Sequence, residues 1–370
     1  MKRDNLLIVA ESEHDANMLY AVRMFVPDPF IYLRINAKCH IVMSDLEIDR
    51  ARKQASHCRV LSWSHYTKKL KQRGAKTHGF AAIIRQVLQE KRIKKVFVPD
   101  SFPHGLARDL RRLKIKVKVK EGHFFPEREF KTADEVKKIS AALMMAEVGL
   151  AEGIQALKNA RIGKNRRLMY HNVPLTSEKL RAIIDIAIIQ AGGLASHTIV
   201  AGGRQGCDPH EQGHGILRAH EPVIIDVFPR SQKTGYFGDI TRTVLKGRAS
   251  ETIRKLYHIV ARGQEIAFEK MESGVPGADV HKAVKEFFDL AFDSHSAFEL
   301  NARGPAFGDL CLLPLPDGGT KSFPVIVDAM ASQFLVLERE RRFSRRAEID
   351  WRLLPVRNDF SKGSAHLQTG

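Results

Sequence analysis

The stretch Val223–Thr243, VIIDVFPRSQKTGYFGDITRT, decides how this chain is read. Val223, Ile224 and Ile225 lead into Asp226 within an apolar run that marks a buried strand. A carboxylate there needs a partner, because taking its charge out of water is expensive. Asp239 follows in a second strand-like segment, YFGDITRTVL (236–245), after a loop containing Gly235 and Gly238. If the two segments pair as a hairpin, the carboxylates can face one another. Two close carboxylates repel unless they share a proton or a cation. Arg230 and Arg242 lie nearby in sequence and offer one answer, simple ion pairs. A pair of bridged divalent ions is the other, and it is a hydrolytic one. Two metals about 3.5–4 Å apart generate a bridging hydroxide and stabilise a tetrahedral intermediate.

Composition sets the frame around this pair. The chain has 370 residues, 44% hydrophobic and 28% charged, which suits a globular protein with two sizeable cores. No apolar run approaches a membrane span. The apolar run near the start, LLIVA (6–10), is followed by Glu11, Glu13 and Asp15 with no small-residue cleavage site, so no secretory signal is read. Cys39, Cys58, Cys207 and Cys311 are scattered and form no CxxC pair. The expectation is a reduced, cytoplasmic protein without a cysteine zinc site. The net charge of +18 is uneven: residues 293–370 hold 10 Lys+Arg and 10 Asp+Glu, so the whole excess lies before them. Runs such as KRIKK (91–95) and RRLKIKVKVK (111–120) read as solvated faces, the second as a strand with one wet side. Nucleic-acid binding rests on charge alone, without an aromatic–basic signature or recognition motif.

Residues 1–125 mix strands at 6–10, 30–35, 39–44 and 95–99 with a helix over 80–91, an α/β domain. Phe125-Pro126 marks a boundary, and Thr132 precedes Glu135 by three residues, a capping box. Val136, Ile139, Leu143, Ala146, Leu150, Ile154 and Leu157 then recur at helical spacing. Further helices are read from Ser177 to Gly192, over 251–271 and over 278–291, with strands at 197–202, 223–228 and 236–245. After Phe292 the texture changes. Prolines punctuate it, and only 325–327 and 333–337 read as strands.

The segment SHTIVAGGRQGCDPHEQGHGILRAHEPVIIDVFPRSQKTGYFGDITRT (196–243) resembles the first half of the pita-bread metallopeptidases, in their aminopeptidase P and Xaa-Pro dipeptidase branch. The likeness covers about residues 1–292, and GDITRT is its most specific part. It implies an α/β (α+β) fold. A creatinase-like domain (1–125) precedes part of a pita-bread catalytic domain (126–292), and a divergent tail (293–370) follows. It also implies hydrolysis of the peptide bond before proline, two divalent ions (manganese, cobalt or zinc), a peptide substrate and a homodimer. By the resemblance Asp226 binds one metal, Asp239 bridges both, and His210 in DPH contacts the substrate or its developing charge. On its own, His210 also reads as an ordinary surface histidine.

The family's second half supplies three more ligands, in segments resembling HGTGHGLGLEIHE, TVEPGLYY and RIED. None occurs here. His295 and Glu299 lack the flanking glycines, and Glu338 and Glu340 sit in an arginine-rich run. Two carboxylates alone make a weak metal site. Impaired hydrolysis is therefore expected, and the alternative is a non-catalytic binding relative. A reading-frame change in the gene near the codon for Phe292 accounts for the abrupt loss of pattern, charge bias and periodicity. A genuine replacement tail is the competing account. Losing strands that should cover the hairpin predicts a loosely packed tail.

Overall fold

The structure, a computed structural model, describes residues 4–272, 274–293 and 333–337. LLIVA forms β1 (Leu6–Ala10), central in a six-stranded sheet with β2 (Phe30–Ile35), β3 (Lys38–Met43), β4 (Arg59–Ser62), β5 (Lys95–Val98) and β6 (Lys116–Val119). The order is β4-β3-β2-β1-β5-β6. β1, β2 and β3 form an antiparallel meander, whereas β3–β4, β1–β5 and β5–β6 are parallel. Parallel neighbours need crossovers. These are α2 (Ile48–Gln54), the pair α3 (Trp63–Gln72) and α4 (Phe80–Glu90), and α5 (His104–Arg112). Alternation along the strands feeds two cores. Leu7, Val9, Ile31 and Leu33 pack with Ile83, Ile84 and Val87 of α4. Leu6, Ile8, Phe30 and Tyr32 pack with Met18 and Val22 of α1 (Ala16–Val22) and with Phe124 and Phe125.

The cysteines depart from the expectation of reduced thiols. A disulfide joins Cys39 of β3 to Cys58, which immediately precedes β4. The parallel register sets His40 opposite Arg59, so the residues one place earlier also meet. Spacing rules of the CxxC kind do not detect such a cross-strand neighbour.

Thr132 and Glu135 form the reciprocal capping box of α6 (Ala133–Asn159). α6 packs against α7 (Ser177–Gln190). A Cβ at Gly149 would stand 2.6 Å from Ile188, and one at Gly153 2.8 Å from Ile184, so the close approach of the two helices depends on these glycines. Short strands β7 (Arg161–Ile162), β8 (Leu168–Tyr170) and β9 (Val173–Pro174) form one small sheet, and β10 (Gly193–Leu194) pairs with β13 (Arg230–Ser231). The sheet that carries the aspartates runs β11 (Ile199–Gly202), β12 (Pro222–Val227), β14 (Ile240–Lys246), β15 (Gln333–Leu337). Gln333–Leu337, read as a strand from sequence, adds parallel to β14. The reading of 325–327 and the expected loose packing of the tail lie outside the described residues. α8 (Glu251–Lys270) and α9 (Gly277–Asp293) pack together through Val260, Val284 and Phe288.

Candidate metal centre

β12 and β14 are antiparallel, with Asp226 opposite Thr241, Ile225 opposite Arg242 and Val227 opposite Ile240. Residues directly opposite share a face, and successive residues alternate between faces. Val223, Ile225, Val227 and Val244 are buried in the core formed with α6 and α7. Asp226 and Thr241 therefore fall on the other face. Thr241 Oγ1 donates a 2.5 Å hydrogen bond to Asp226 Oδ1.

Asp239 lies in the loop immediately before β14, one residue outside the strand in which the sequence reading put it. It stands two residues before Thr241, which places it on the Thr241 face and diagonal to Asp226. The electrostatics agree with that placement. Asp239 keeps an exposed edge, yet desolvation of the rest of its carboxyl, followed by repulsion from Asp226, raises its pKa above the ordinary carboxylate value.

The neighbouring cations are directed elsewhere. Arg242 alternates onto the helix-packed face. There burial lowers its pKa, the charge of Glu147 on α6 opposes that shift, and its Nη1 donates to Thr241 O at 2.7 Å. The Arg230 guanidinium stacks over Phe25 and Phe237, and its Nε donates to Gly235 O. These are the contacts made by the two arginines that sequence alone offers as ion-pair partners.

Backbone packing fixes the turn that delivers Asp239. Gly238 N–H donates to Pro229 O at 3.0 Å. A Cβ on Gly238 would come within 2.3 Å of Ala142 O on α6, so only glycine lets the loop sit against that helix. Tyr236 Oη donates to Glu135 Oε1 at 2.9 Å and ties the same loop to the start of α6. Sequence reasoning singled out the aspartates but missed Thr241. The signal was available, because Thr241 and Asp239 are two apart and so share a face.

His210 occupies an exposed turn after the short 3-10 helix Gly203–Cys207. Its backbone N–H donates to Asp208 Oδ1 at 3.0 Å. Around it, His214 pairs with Glu211 and Gln212 Nε2 bonds His197 Nδ1.

Two carboxylates on one face, crowded enough to repel, with one oxygen fixed by a hydroxyl, are a hard-oxygen donor set suited to a divalent cation. Among the described residues no third His, Cys, Asp or Glu clusters with them; the single such cluster is Cys39, His57 and Cys58. The donors fit one cation in part and do not complete a two-ion centre.

Comparison with known proteins finds likeness over part of the chain. Residues 137–304 match the model of metallopeptidase family M24. The Xaa-Pro dipeptidase of Lactobacillus helveticus is 24% identical over 168 residues, which is 44% of this chain and 41% of that protein. The probable dipeptidase PepE of Mycobacterium tuberculosis is 31% identical over 161 residues, 42% and 41% of the two chains. The matched region thus spans about two fifths of these relatives. Among solved structures, the X-Pro aminopeptidase of Thermotoga maritima superposes with a TM-score of 0.64 at 18% identity, over 78% of this chain and 76% of the other. The prolidase of Pyrococcus furiosus gives 0.60 at 16% identity, over 78% and 76%. Residues 137–304 are thus similar to metallopeptidase family M24, and the chain has the fold of these X-Pro aminopeptidase and prolidase structures.

Proposed function

We propose that this chain follows the Xaa-Pro peptidase plan: a divalent cation held by Asp226 and Asp239, and a peptide substrate cleaved before proline. The observation that carries the reading is the placement of Asp239, immediately before β14, within reach of the charge of Asp226 on β12, where burial first and that charge second raise the Asp239 pKa. A carboxylate pair kept at that cost to the fold makes sense when a cation offsets it. Thr241 holds one oxygen of Asp226 by a hydrogen bond and so orients the carboxylate. A bound divalent ion, manganese, cobalt or zinc in this reading, supplies Lewis acidity toward a peptide carbonyl and makes water more acidic. His210, exposed in its turn, is the group assigned to hydrogen-bond the substrate as charge develops.

The reading includes impairment. The segments after Phe292 lack the remaining ligands and the general acid/base glutamate that the resemblance calls for. Residues 1–125 act as the creatinase-like domain, 126–292 as the first part of the catalytic domain, and 293–370 as divergent sequence. Homodimerisation and a cytoplasmic location complete the proposal; no described helix is long and apolar enough to cross a membrane.

A second reading, a relative that binds peptide without cleaving it, is favoured by the lack of a third ligand near the pair among the described residues. Titrating Mn²⁺ into the chain and assaying Xaa-Pro dipeptides separates the two. Metal-dependent hydrolysis abolished by D226N supports the peptidase. Metal binding without turnover supports the binding relative. Unchanged metal affinity in D226N and D239N overturns both. The nucleotide sequence around the codons for Ala291–Leu300 tests the reading-frame idea directly. A shifted frame that encodes no HGTGHG-like or VEPG-like segment rules it out.

A further inference from the structure

The cluster Cys39, His57 and Cys58 lies in the six-stranded sheet and plays no part in the site above. One candidate ligand atom from each residue lies within 4.8 Å of the others. Tetrahedral zinc, with bonds of about 2.3 Å to sulfur and 2.0–2.1 Å to nitrogen, sets its ligand atoms roughly 3.5–3.8 Å apart. The three side chains need only small adjustments to reach that spacing once the sulfurs are no longer bonded to each other.

The imidazole is already prepared for such a role. His57 Nε2 lies 2.9 Å from Ala21 O. A carbonyl only accepts, so Nε2 carries the proton and Nδ1 keeps its lone pair. Ala21 sits in the last turn of α1, where helix carbonyls lack intrahelical donors. A histidine that gives one N–H to a backbone carbonyl and offers the other nitrogen is the arrangement that orients metal-binding imidazoles. Cys58 is buried and Cys39 half-buried, while His57 is exposed. The site is therefore anchored inside and open outside, with one tetrahedral position left for water or an external ligand.

We propose that, with the Cys39–Cys58 bond reduced, the two sulfurs and His57 Nδ1 bind one thiophilic cation of the zinc class, and that the disulfide is the form that cannot bind it. The donor set selects zinc over manganese, which prefers oxygen ligands. A phosphine reductant opens the site: phosphorus is oxidised to the phosphine oxide with oxygen from water, the S–S bond breaks, and the two protons of that water end on the sulfurs. The cation then displaces both thiol protons. In a reducing compartment the open, metal-binding form prevails.

The test uses the full chain with Cys207→Ser and Cys311→Ser, so that Cys39 and Cys58 are the remaining cysteines, and Co²⁺ as the probe. After phosphine reduction we expect a thiolate-to-cobalt charge-transfer absorption that saturates at one Co²⁺ per chain, counted apart from any Co²⁺ held by the Asp226–Asp239 pair. Stoichiometric Zn²⁺ should bleach that band, and Mn²⁺ should leave it unchanged. The oxidised chain should show none. Cys39→Ser and Cys58→Ser should each lose the band. His57→Ala, an exposed substitution that spares the fold, should weaken binding by at least about tenfold. A reduced chain with native circular dichroism and no band overturns the proposal. So does a band that survives Cys39→Ser or Cys58→Ser, or undiminished affinity in His57→Ala. The Asp226–Asp239 pair has no sulfur and cannot produce this absorption, so the two sites are read separately.

Discussion

Thr241 and Asp226 face each other across β12 and β14, and the threonine hydroxyl is spent on one carboxylate oxygen at 2.5 Å. That bond orients the Asp226 carboxylate on this face of the sheet. Thr241→Val keeps the shape and removes the donor. Groups that orient metal ligands are worth about 10–100-fold in affinity. Thr241→Val should therefore lower Mn²⁺ affinity by about tenfold or more in isothermal titration, while the metal-free chain loses only about 1 kcal/mol. Equal Mn²⁺ affinity in the variant and the parent would remove Thr241 from the site.

Asp239 makes the opposite trade. Its raised pKa reflects burial first and the charge of Asp226 second. Both act against the ionised form, so Asp239→Asn should make the chelator-treated protein more stable at neutral pH. Coulomb repulsion near a surface supports a gain of about 0.5–1 kcal/mol, reduced by solvent screening. The same variant should lose the rise in melting temperature that Mn²⁺ gives the parent. Thermal scans with chelator and with Mn²⁺ read both effects. A variant that is destabilised without metal, or still stabilised by Mn²⁺, contradicts the assignment.

Gly238 is the hinge between helix packing and ligand placement. Ala142 O stands 2.3 Å from where a Cβ would be, and that backbone atom, held within α6, cannot step aside cheaply. Gly238→Ala should move the loop outward and carry Asp239 away from Asp226. Overpacking of this kind costs about 1–3 kcal/mol. Urea denaturation measures that loss, and Mn²⁺ titration should show weakened binding as well. Reduced stability with unchanged metal affinity would mean that the loop and Asp239 move independently.

The sequence disclosed the hairpin because its physics is local. Three apolar residues before Asp226 and the alternation Asp239, Thr241, Thr243 are visible without coordinates. The capping box at Thr132 and Glu135 was equally legible, since both partners lie in one turn. What escaped depends on distant chain. Gly238 is indispensable because of Ala142, nearly a hundred residues earlier, and no pattern in either segment announces the contact. Cys39 and Cys58 meet through a parallel register set by α2, across a separation of 19. The start of β14 one residue after Asp239 was missed for a related reason: Gly238 N–H is committed to Pro229 O, which holds this part of the chain in the loop ahead of the β12–β14 ladder.

The Tyr236–Glu135 bond gives the same hairpin a pH signature. Glu135 is held below its ordinary value chiefly by the Thr132 backbone N–H, with the Thr132 and Tyr236 hydroxyls adding to it against the cost of burial. A depressed carboxylate contributes stability that is present above its unfolded pKa and lost as pH falls through the folded one. Tyr236 is shifted the other way, from 10.0 to about 12, by burial and then by Glu135. A raised phenol contributes stability that is complete below its unfolded pKa and lost as pH rises through the folded one, here from 10.0 toward about 12. Between these limits the tether is intact. Tyr236→Phe removes the phenol, so its alkaline loss should disappear, while the Thr132 bonds preserve most of the acid-side loss. Urea midpoints measured across pH should thus show parent and variant converging above pH 10.0 and separated by about 1 kcal/mol near neutrality. Curves that stay parallel through the alkaline range would show that Tyr236 does not hold the loop to α6.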